Sequence, residues 1–176
     1  MMFPFRILSI AALTLIIFAG VSSNQAFAAK PLVLEEFFRG KTIGKGVFES
    51  KIAGINRSFT VYLNGTWNRN TSTLRLREDF VYEDGERDTK TWFFEKLASG
   101  GYIGQRADVK GPAIVRVGDD GVLRFSYVAD VPTEKSSILL RFNDTLEQVD
   151  RRTVRNTAHV IKSGFPIGTV SLVFTK

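Results

Sequence analysis

Cysteine is absent from this sequence of 176 residues, and histidine occurs only once, as His159. Without cysteine the chain has no disulfides, no thiolate metal ligands, no cysteine nucleophile and no bacterial lipid anchor of the kind attached through cysteine. A lone histidine provides no clustered metal ligands, and His159 is accompanied by neither a G-x-S-x-G elbow nor an H-E-x-x-H helix. We therefore expect no metal, no cofactor and no conventional catalytic residue.

The sequence also lacks a dense run of one charge. Although its formal net charge is +6, basic and acidic residues are interleaved. No nucleic-acid-binding motif accompanies them, so we expect no nucleic-acid partner. Contact of a basic surface with anionic lipid headgroups stays open, because it requires a clustered patch that only the folded chain can form.

Residues 1–28 have the layout of a secretory signal peptide. Arg6 supplies the positive start, residues 7–21 the apolar stretch, and residues 26–28 (Ala-Phe-Ala) an A-x-A cleavage site. The apolar stretch is short for a bilayer span and polar residues follow it, so an uncleaved anchor is the less favoured alternative. We expect a mature chain that begins at Ala29 and is exported without a lipid anchor, to the periplasm if the source is a Gram-negative bacterium.

Residues 74–92 contain two runs of alternating residues that are joined at Asp84-Gly85. Because successive side chains of a strand point to opposite faces, the first run has one apolar face and one charged face. Asp-Gly between two such runs predicts a β-hairpin with a type I′ turn, which needs a positive φ at both central residues.

The remaining pattern of residues 29–176 is typical of one all-β domain. A short helix is predicted at residues 32–38, with Gly40 as its C-cap, and its apolar residues are expected to cover one end of the sheet. About nine strands follow in a meander and are separated by turn residues.

Residues 102–109 and 113–117 are interpreted as one strand that is interrupted at Gly111-Pro112, where proline cannot donate a ladder hydrogen bond. No helical segment is long enough to cover a sheet, so the sheet must close on itself or pack against itself. We predict a single antiparallel, up-and-down β-barrel, because closure removes exposed strand edges.

Polar side chains that lie on the same face of a predicted strand as hydrophobic residues are candidates for the barrel interior. Glu78 is the firmest, because it shares a face with four hydrophobic or aromatic residues. A buried carboxylate without a partner is costly, so we expect Glu78 to be paired or hydrogen-bonded, and Arg57 to supply a cation near one barrel end. The candidate ligand-binding residues are Glu78, Arg57, Tyr82, Trp67, Asp144, Asn156 and Lys162.

Two interpretations of these polar residues stay open. In the first, they form an internal network that fixes the strand register and closes one mouth of the barrel. In the second, they line a cavity and orient the polar head of a ligand, while Phe and Trp side chains hold its apolar body.

The mature chain resembles the bacterial proteins grouped as domain of unknown function 3833. The resemblance spans nearly all of residues 29–176 and rests on the motifs Phe37-Phe38-x-Gly40, Gly44-x-Gly46-x-Phe48, Gly65-x-Trp67, Leu74-x-Leu76-x-Glu78-x-Phe80-x-Tyr82-x-Asp84-Gly85, Trp92, Tyr102-x-Gly104, Ala107-Asp108-Val109-x-Gly111, Asp144, Asn156 and Lys162-x-Gly164. It implies a fold similar to the lipocalin-type barrels and no established activity. It also implies an envelope context, since members often look like lipoproteins and some are encoded near membrane-lipid-modifying enzymes.

The sequence departs from the family pattern in two places. It lacks the lipobox cysteine, and it has Phe142-Asn143-Asp144-Thr145 where a second acidic residue and a tryptophan are expected.

Together these observations predict an exported, soluble, lipocalin-like barrel that binds a small apolar or amphipathic ligand, with lipids as one class, in the bacterial envelope. Two alternatives remain. One is a structural or interaction module of the envelope with a filled barrel. The other, which is less favoured, is an isomerase-like enzyme that uses Glu78 as its base.

Overall fold

The computed structural model describes residues 31–133 and 135–176. The predicted signal peptide and its cleavage site lie outside the described residues. The described chain forms one short helix and ten strands, namely α1 (Leu34–Phe38), β1 (Gly40–Ser50), β2 (Ile55–Asn68), β3 (Thr73–Tyr82), β4 (Arg87–Lys96), β5 (Tyr102–Gln105), β6 (Ala113–Val117), β7 (Leu123–Pro132), β8 (Ser137–Gln148), β9 (Thr153–Lys162) and β10 (Phe165–Thr175). Within these ranges, no helix has the length and apolar character needed to cross a bilayer.

The ten strands form one closed barrel. Each strand pairs with its neighbours in sequence, and β1 pairs with β10 to complete the circle. All of these pairings are antiparallel. The predicted closed, antiparallel, up-and-down barrel is therefore confirmed, with ten strands instead of about nine.

The additional strand comes from the segment that was predicted to be one interrupted strand. That prediction is wrong, because β5 and β6 run antiparallel to each other, with Tyr102 opposite Val115. The chain reverses between them through residues 106–112, where Gly111 has a φ of 73°. The reversing loop then lies along β7, and the Lys110 N–H donates to the Val128 carbonyl at 2.8 Å.

The predicted hairpin forms between β3 and β4, but its turn is not type I′. Gly85 has a φ of 87°, whereas Asp84 keeps a negative φ. The Gly85 N–H donates to the Tyr82 carbonyl at 3.0 Å, and the Tyr82 N–H donates to the Glu86 carbonyl at 2.9 Å. These bonds close a three-residue loop with glycine at the left-handed position, which is the next most common hairpin connection.

Helix α1 covers one end of the barrel, as predicted. The C-cap is Arg39, in an extended conformation, so the predicted C-cap at Gly40 is wrong by one residue. Gly40 follows with a φ of 83° and is the first residue of β1. At Gly65 in β2, an added Cβ would lie only 2.0 Å from the Phe38 carbonyl oxygen. Glycine at this position allows the end of the helix to approach the strand backbone directly.

The tyrosine at the start of β5 fixes the helix to the barrel. Tyr102 is 2% exposed, and its hydroxyl accepts a hydrogen bond from the Leu34 N–H at 3.1 Å. The same hydroxyl donates to Glu35 Oε2 at 2.7 Å. One phenol therefore accepts from the Leu34 N–H, which has no acceptor within the helix, and donates to the carboxylate of Glu35 in the first helical turn.

We expect Tyr102→Phe to lower the free energy of unfolding by about 1–3 kcal/mol, because it leaves the Leu34 N–H and the Glu35 carboxylate without this partner. Urea denaturation measures the change. Tyr62→Phe is the matched control, since Tyr62 is 51% exposed on the outer surface and should shift stability by less than about 0.5 kcal/mol. Equal effects of the two substitutions would contradict the role assigned to Tyr102.

Candidate functional site

The barrel encloses a cavity of about 430 Å³. Leu34 and Phe38 of α1 are among its lining residues at the closed end, and Arg57 and Tyr82 are among them near the opposite end. Most of the wall is apolar and aromatic, with the rings of Phe59, Phe80, Trp92, Phe94, Phe125, Tyr127 and Phe142 among its components. The interior is thus hollow, with a size and an apolar wall that are typical of small-molecule sites.

A group of polar side chains interrupts the apolar wall, and we call it the polar cluster. It is contributed by β3, β4, the β5–β6 loop, β7, β8 and β9, and its members are Glu78, Lys90, Arg106, Asp108, Tyr127, Asp144 and Asn156. Glu78 and Lys90 are direct neighbours across the β3–β4 ladder. The other members come from the β5–β6 loop and from β7, β8 and β9, and barrel closure brings them to the same cavity as Glu78.

The two cations of the polar cluster are already paired. Arg106 Nε lies 2.6 Å from Asp108 Oδ1, and its guanidinium carbon lies 4.6 Å from the centre of the Trp92 ring. Lys90 Nζ lies 3.3 Å from Asp108 and 3.1 Å from Asp88. Both positive charges are therefore compensated by carboxylates of the barrel itself, and the arginine is also held over an aromatic face.

Glu78 has a different environment. No hydrogen-bond donor or cation among residues 31–133 and 135–176 lies within bonding distance of its carboxylate, so the expected direct pairing is not found. Burial raises its pKa to about 7, and the nearby charge of Arg106 opposes part of that rise. The side chain is nevertheless only half-buried by surface area, because it faces the cavity instead of packing against other side chains.

Asp144 is only half satisfied. Its Oδ1 accepts a hydrogen bond from Asn156 Nδ2 at 2.8 Å, whereas its buried Oδ2 has no hydrogen bond of good geometry within the described chain. Burial raises the pKa of Asp144 to about 6, and the Asn156 bond, the charge of Arg106 and the Tyr127 hydroxyl limit the rise. The cavity therefore contains a second carboxyl group with unused acceptor capacity.

Of the seven predicted site residues, five line the cavity: Glu78, Arg57, Tyr82, Asp144 and Asn156. Arg57 does not meet Glu78, because its guanidinium lies 3.8 Å from the centre of the Tyr82 ring and pairs with two carboxylates of the β3–β4 turn, those of Asp84 and Glu86. It belongs to the open rim, as expected for a cation near a barrel end. Whether any of the five contacts a ligand stays a prediction.

The structure does not bring Trp67 and Lys162 to the cavity. Trp67 lies opposite Leu74 near the end of β2 and packs against the hydrophobic core. Lys162 is the last residue of β9 and is exposed. Residue parity assigns a side chain to a face of the sheet, but the inner face continues beyond the cavity at both of its ends.

Four members of the polar cluster were missed by sequence reasoning, although the same parity rule applies to them. Lys90 keeps step with Trp92 and Phe94, and Tyr127 keeps step with Leu123 and Phe125. Arg106 and Asp108 continue the parity of Tyr102 and Gly104 into the loop after β5. The sequence therefore allows the inward orientation of these four residues to be predicted, but not their proximity to one another in the barrel.

The chain matches the family described as Protein of unknown function (DUF3833) over residues 13–176. It belongs to this family. A comparison with curated proteins finds no match. Among solved structures, the chain is similar to the S-type phycobiliprotein lyase CPES from Guillardia theta, with a TM-score of 0.58 and 10% identity over 81% of this chain and 91% of that chain. At this identity the likeness concerns the fold alone, and it confirms the predicted lipocalin-like barrel.

Glu78 and Asp144 should make this DUF3833 protein less stable as the pH rises. Their folded-state pKa values, about 7 and about 6, lie above the usual 4.5 and 3.8, so between these limits the folded state binds more protons than the unfolded state. The free energy of unfolding should fall from pH 5 to pH 8, and Glu78→Gln should reduce that fall by about 1–3 kcal/mol. Denaturant titrations of wild type and variant at pH 5 and pH 8 measure this difference in the free energy of unfolding.

Asp79→Asn is the control for this experiment. Asp79 neighbours Glu78 on β3 but belongs to the outer surface, where its hydrogen bonds with Arg77 and Thr89 lower its pKa. Its replacement should leave the fall from pH 5 to pH 8 unchanged. An identical fall in wild type and Glu78→Gln would contradict the environment described for Glu78.

Proposed function

We propose that the protein binds a small apolar or amphipathic molecule, such as a lipid, in the cavity of its barrel within the bacterial envelope. The observation that carries this proposal is the aromatic cavity of about 430 Å³ inside the barrel, with a few converging polar groups. That combination fixes the orientation of a ligand through the polar groups and gains affinity from the apolar wall. The similarity to the phycobiliprotein lyase supports it only through the shared fold.

Export is proposed from the signal-peptide layout of residues 1–28. With no cysteine for lipid attachment, the mature protein would be free in the periplasm of a Gram-negative bacterium. A carrier of this kind suits an apolar ligand that has to leave a membrane and cross an aqueous space.

The open end of the barrel has a surface that suits contact with a membrane. Ile52 and Phe165, at the tips of the β1–β2 and β9–β10 hairpins, are 78% and 73% exposed. The two hairpins are neighbours because β1 pairs with β10, and exposed Lys51 and Lys162 accompany them. We call these four residues the rim patch, and we propose an anionic lipid surface as its partner, because the patch combines apolar tips with positive charge.

The two alternatives rank below ligand binding. The cavity leaves the barrel unfilled, which argues against a solid structural module. Catalysis by Glu78 is favoured by its pKa near 7 and its position on the cavity wall. However, no partner within the described chain hydrogen-bonds to that carboxylate and orients it, as a positioned general base requires.

Binding can be tested with the two tryptophans of the chain. Trp92 lines the cavity and Trp67 does not, so titration with dodecanol should change the tryptophan emission saturably. The change should persist in Trp67→Phe and disappear in Trp92→Phe, while calorimetry shows that Trp92→Phe still binds. No saturable binding, or a signal that depends on Trp67, would contradict binding in the cavity.

Membrane contact can be tested by co-sedimentation with phosphatidylglycerol vesicles. Ile52→Asp and Phe165→Asp should each weaken binding on the order of tenfold, because each removes one large apolar side chain from the contact. Val149→Asp is the control, since Val149 is 48% exposed in the β8–β9 turn at the opposite end of the barrel. An equal loss of vesicle binding in all three variants, or unchanged vesicle binding in all of them, would exclude the rim patch as the contact surface.

A further inference from the structure

The cations that line the cavity are already ion-paired with carboxylates of the barrel. Arg106 pairs with Asp108, and Lys90 is shared between Asp108 and Asp88. Arg57 is held at the rim by carboxylates of the β3–β4 turn. A ligand carboxylate would therefore have to break an existing ion pair before it gained a partner of its own.

The hydrogen-bond acceptors Glu78 and Asp144 of the same cavity, in contrast to its cations, have acceptor capacity that is not used. Glu78 has no hydrogen-bonded partner within the described chain, and Asp144 Oδ2 is buried with no hydrogen bond of good geometry, although the Tyr127 hydroxyl faces this carboxyl group. Asp144 is 7% exposed, and its charge acts on Glu78 across the cavity. A buried acceptor without a well-placed donor is rare in folded proteins and destabilises them, so Asp144 Oδ2 needs an explanation, and Glu78 adds a second carboxyl group that faces the cavity without a partner.

We infer that the polar end of the ligand is a hydrogen-bond donor, best a protonated primary amine, and that Glu78 and Asp144 receive it. This inference rests on the proposed ligand binding and names the chemistry of the same site. An ammonium group offers three donors and no acceptor, which matches two carboxyl groups with unused acceptor capacity. Its positive charge would also be attracted by both carboxylates, neither of which forms a direct ion pair within the described chain.

A carboxylate ligand fits this site poorly. It would place a third anionic group beside Glu78 and Asp144, in a cavity where charges are weakly screened. A neutral alcohol can donate one hydrogen bond, so its affinity should lie between those of the amine and the carboxylate. The order of affinity expected for one alkyl chain is therefore amine, then alcohol, then carboxylate.

The pH dependence provides an independent readout. An alkylamine stays protonated between pH 5 and pH 8, so a change in its affinity over this range reports the protein. The titratable and charged groups that face the two carboxyls are Lys90 from β4, Arg106 and Asp108 from the β5–β6 loop and Tyr127 from β7. Ionisation of Glu78 and Asp144 over this range should strengthen amine binding as the pH rises.

The experiment compares dodecylamine, dodecanol and dodecanoate on the delipidated full-length mature chain by titration calorimetry. The amine should bind at least about tenfold more tightly than the carboxylate at pH 8. Glu78→Gln and Asp144→Asn should each weaken amine binding about tenfold and should weaken dodecanol binding clearly less, because an amide oxygen still accepts a hydrogen bond from a hydroxyl group but carries no charge. Asp79→Asn, on the outer surface of β3, should leave all three affinities unchanged.

The outcomes separate this inference from the proposed function. Dodecanol binding with no preference for the amine, or with a preference for dodecanoate, would overturn the inference and leave ligand binding intact, with ordered water as the donor that completes Asp144. Failure of all three probes would overturn ligand binding itself. If Asp144→Asn does not fold, as judged by circular dichroism, Glu78→Gln carries the test alone, because it retains the shape of a side chain that faces open space.

Discussion

The pairing of β1 with β10 is the constraint on which the rest of the structure depends, because it turns a ten-stranded sheet into a closed wall. Closure gives every strand an inner face, and the alternation of side chains then sends residues from many strands into one volume. Helix α1 seals one end of that volume through Tyr102 and the close approach at Gly65. The cavity therefore follows from a closed ring of paired strands together with an interior that side chains do not fill.

Local patterns predicted most of the fold. The alternation around Glu78 identified a hairpin and its inner face, and the lack of a long helix predicted closure. The turn at Gly85 was predicted less well, because Asp-Gly fits both a two-residue turn and the three-residue loop that forms. The β5–β6 reversal was missed because Gly111 and its neighbours could equally interrupt a strand. The two arrangements differ in contacts between distant residues, namely the pairing of β5 with β6 and the contact of the loop with β7.

The candidate site was less predictable than the fold. Parity placed Glu78 and Asp144 inside, but it is a property of single strands and contains no information about depth along the barrel. For this reason it also selected Trp67 and Lys162, which lie outside the cavity. The pairing of Arg106 with Asp108 depends on a loop conformation, and the proximity of that pair to Glu78 depends on closure of the whole barrel.

The imbalance inside the cavity argues for a function more strongly than the cavity alone does. The backbone ladders and the apolar parity specify the strand register without Glu78, which hydrogen-bonds to no residue of the described chain, whereas Asp144 also links β8 to β9 through Asn156. Both carboxyl groups have raised pKa values because burial disfavours their charged forms, and apolar replacements would remove that penalty. The barrel thus retains two destabilising acceptors while it pairs its cations internally, and a ligand that donates to those acceptors accounts for both facts.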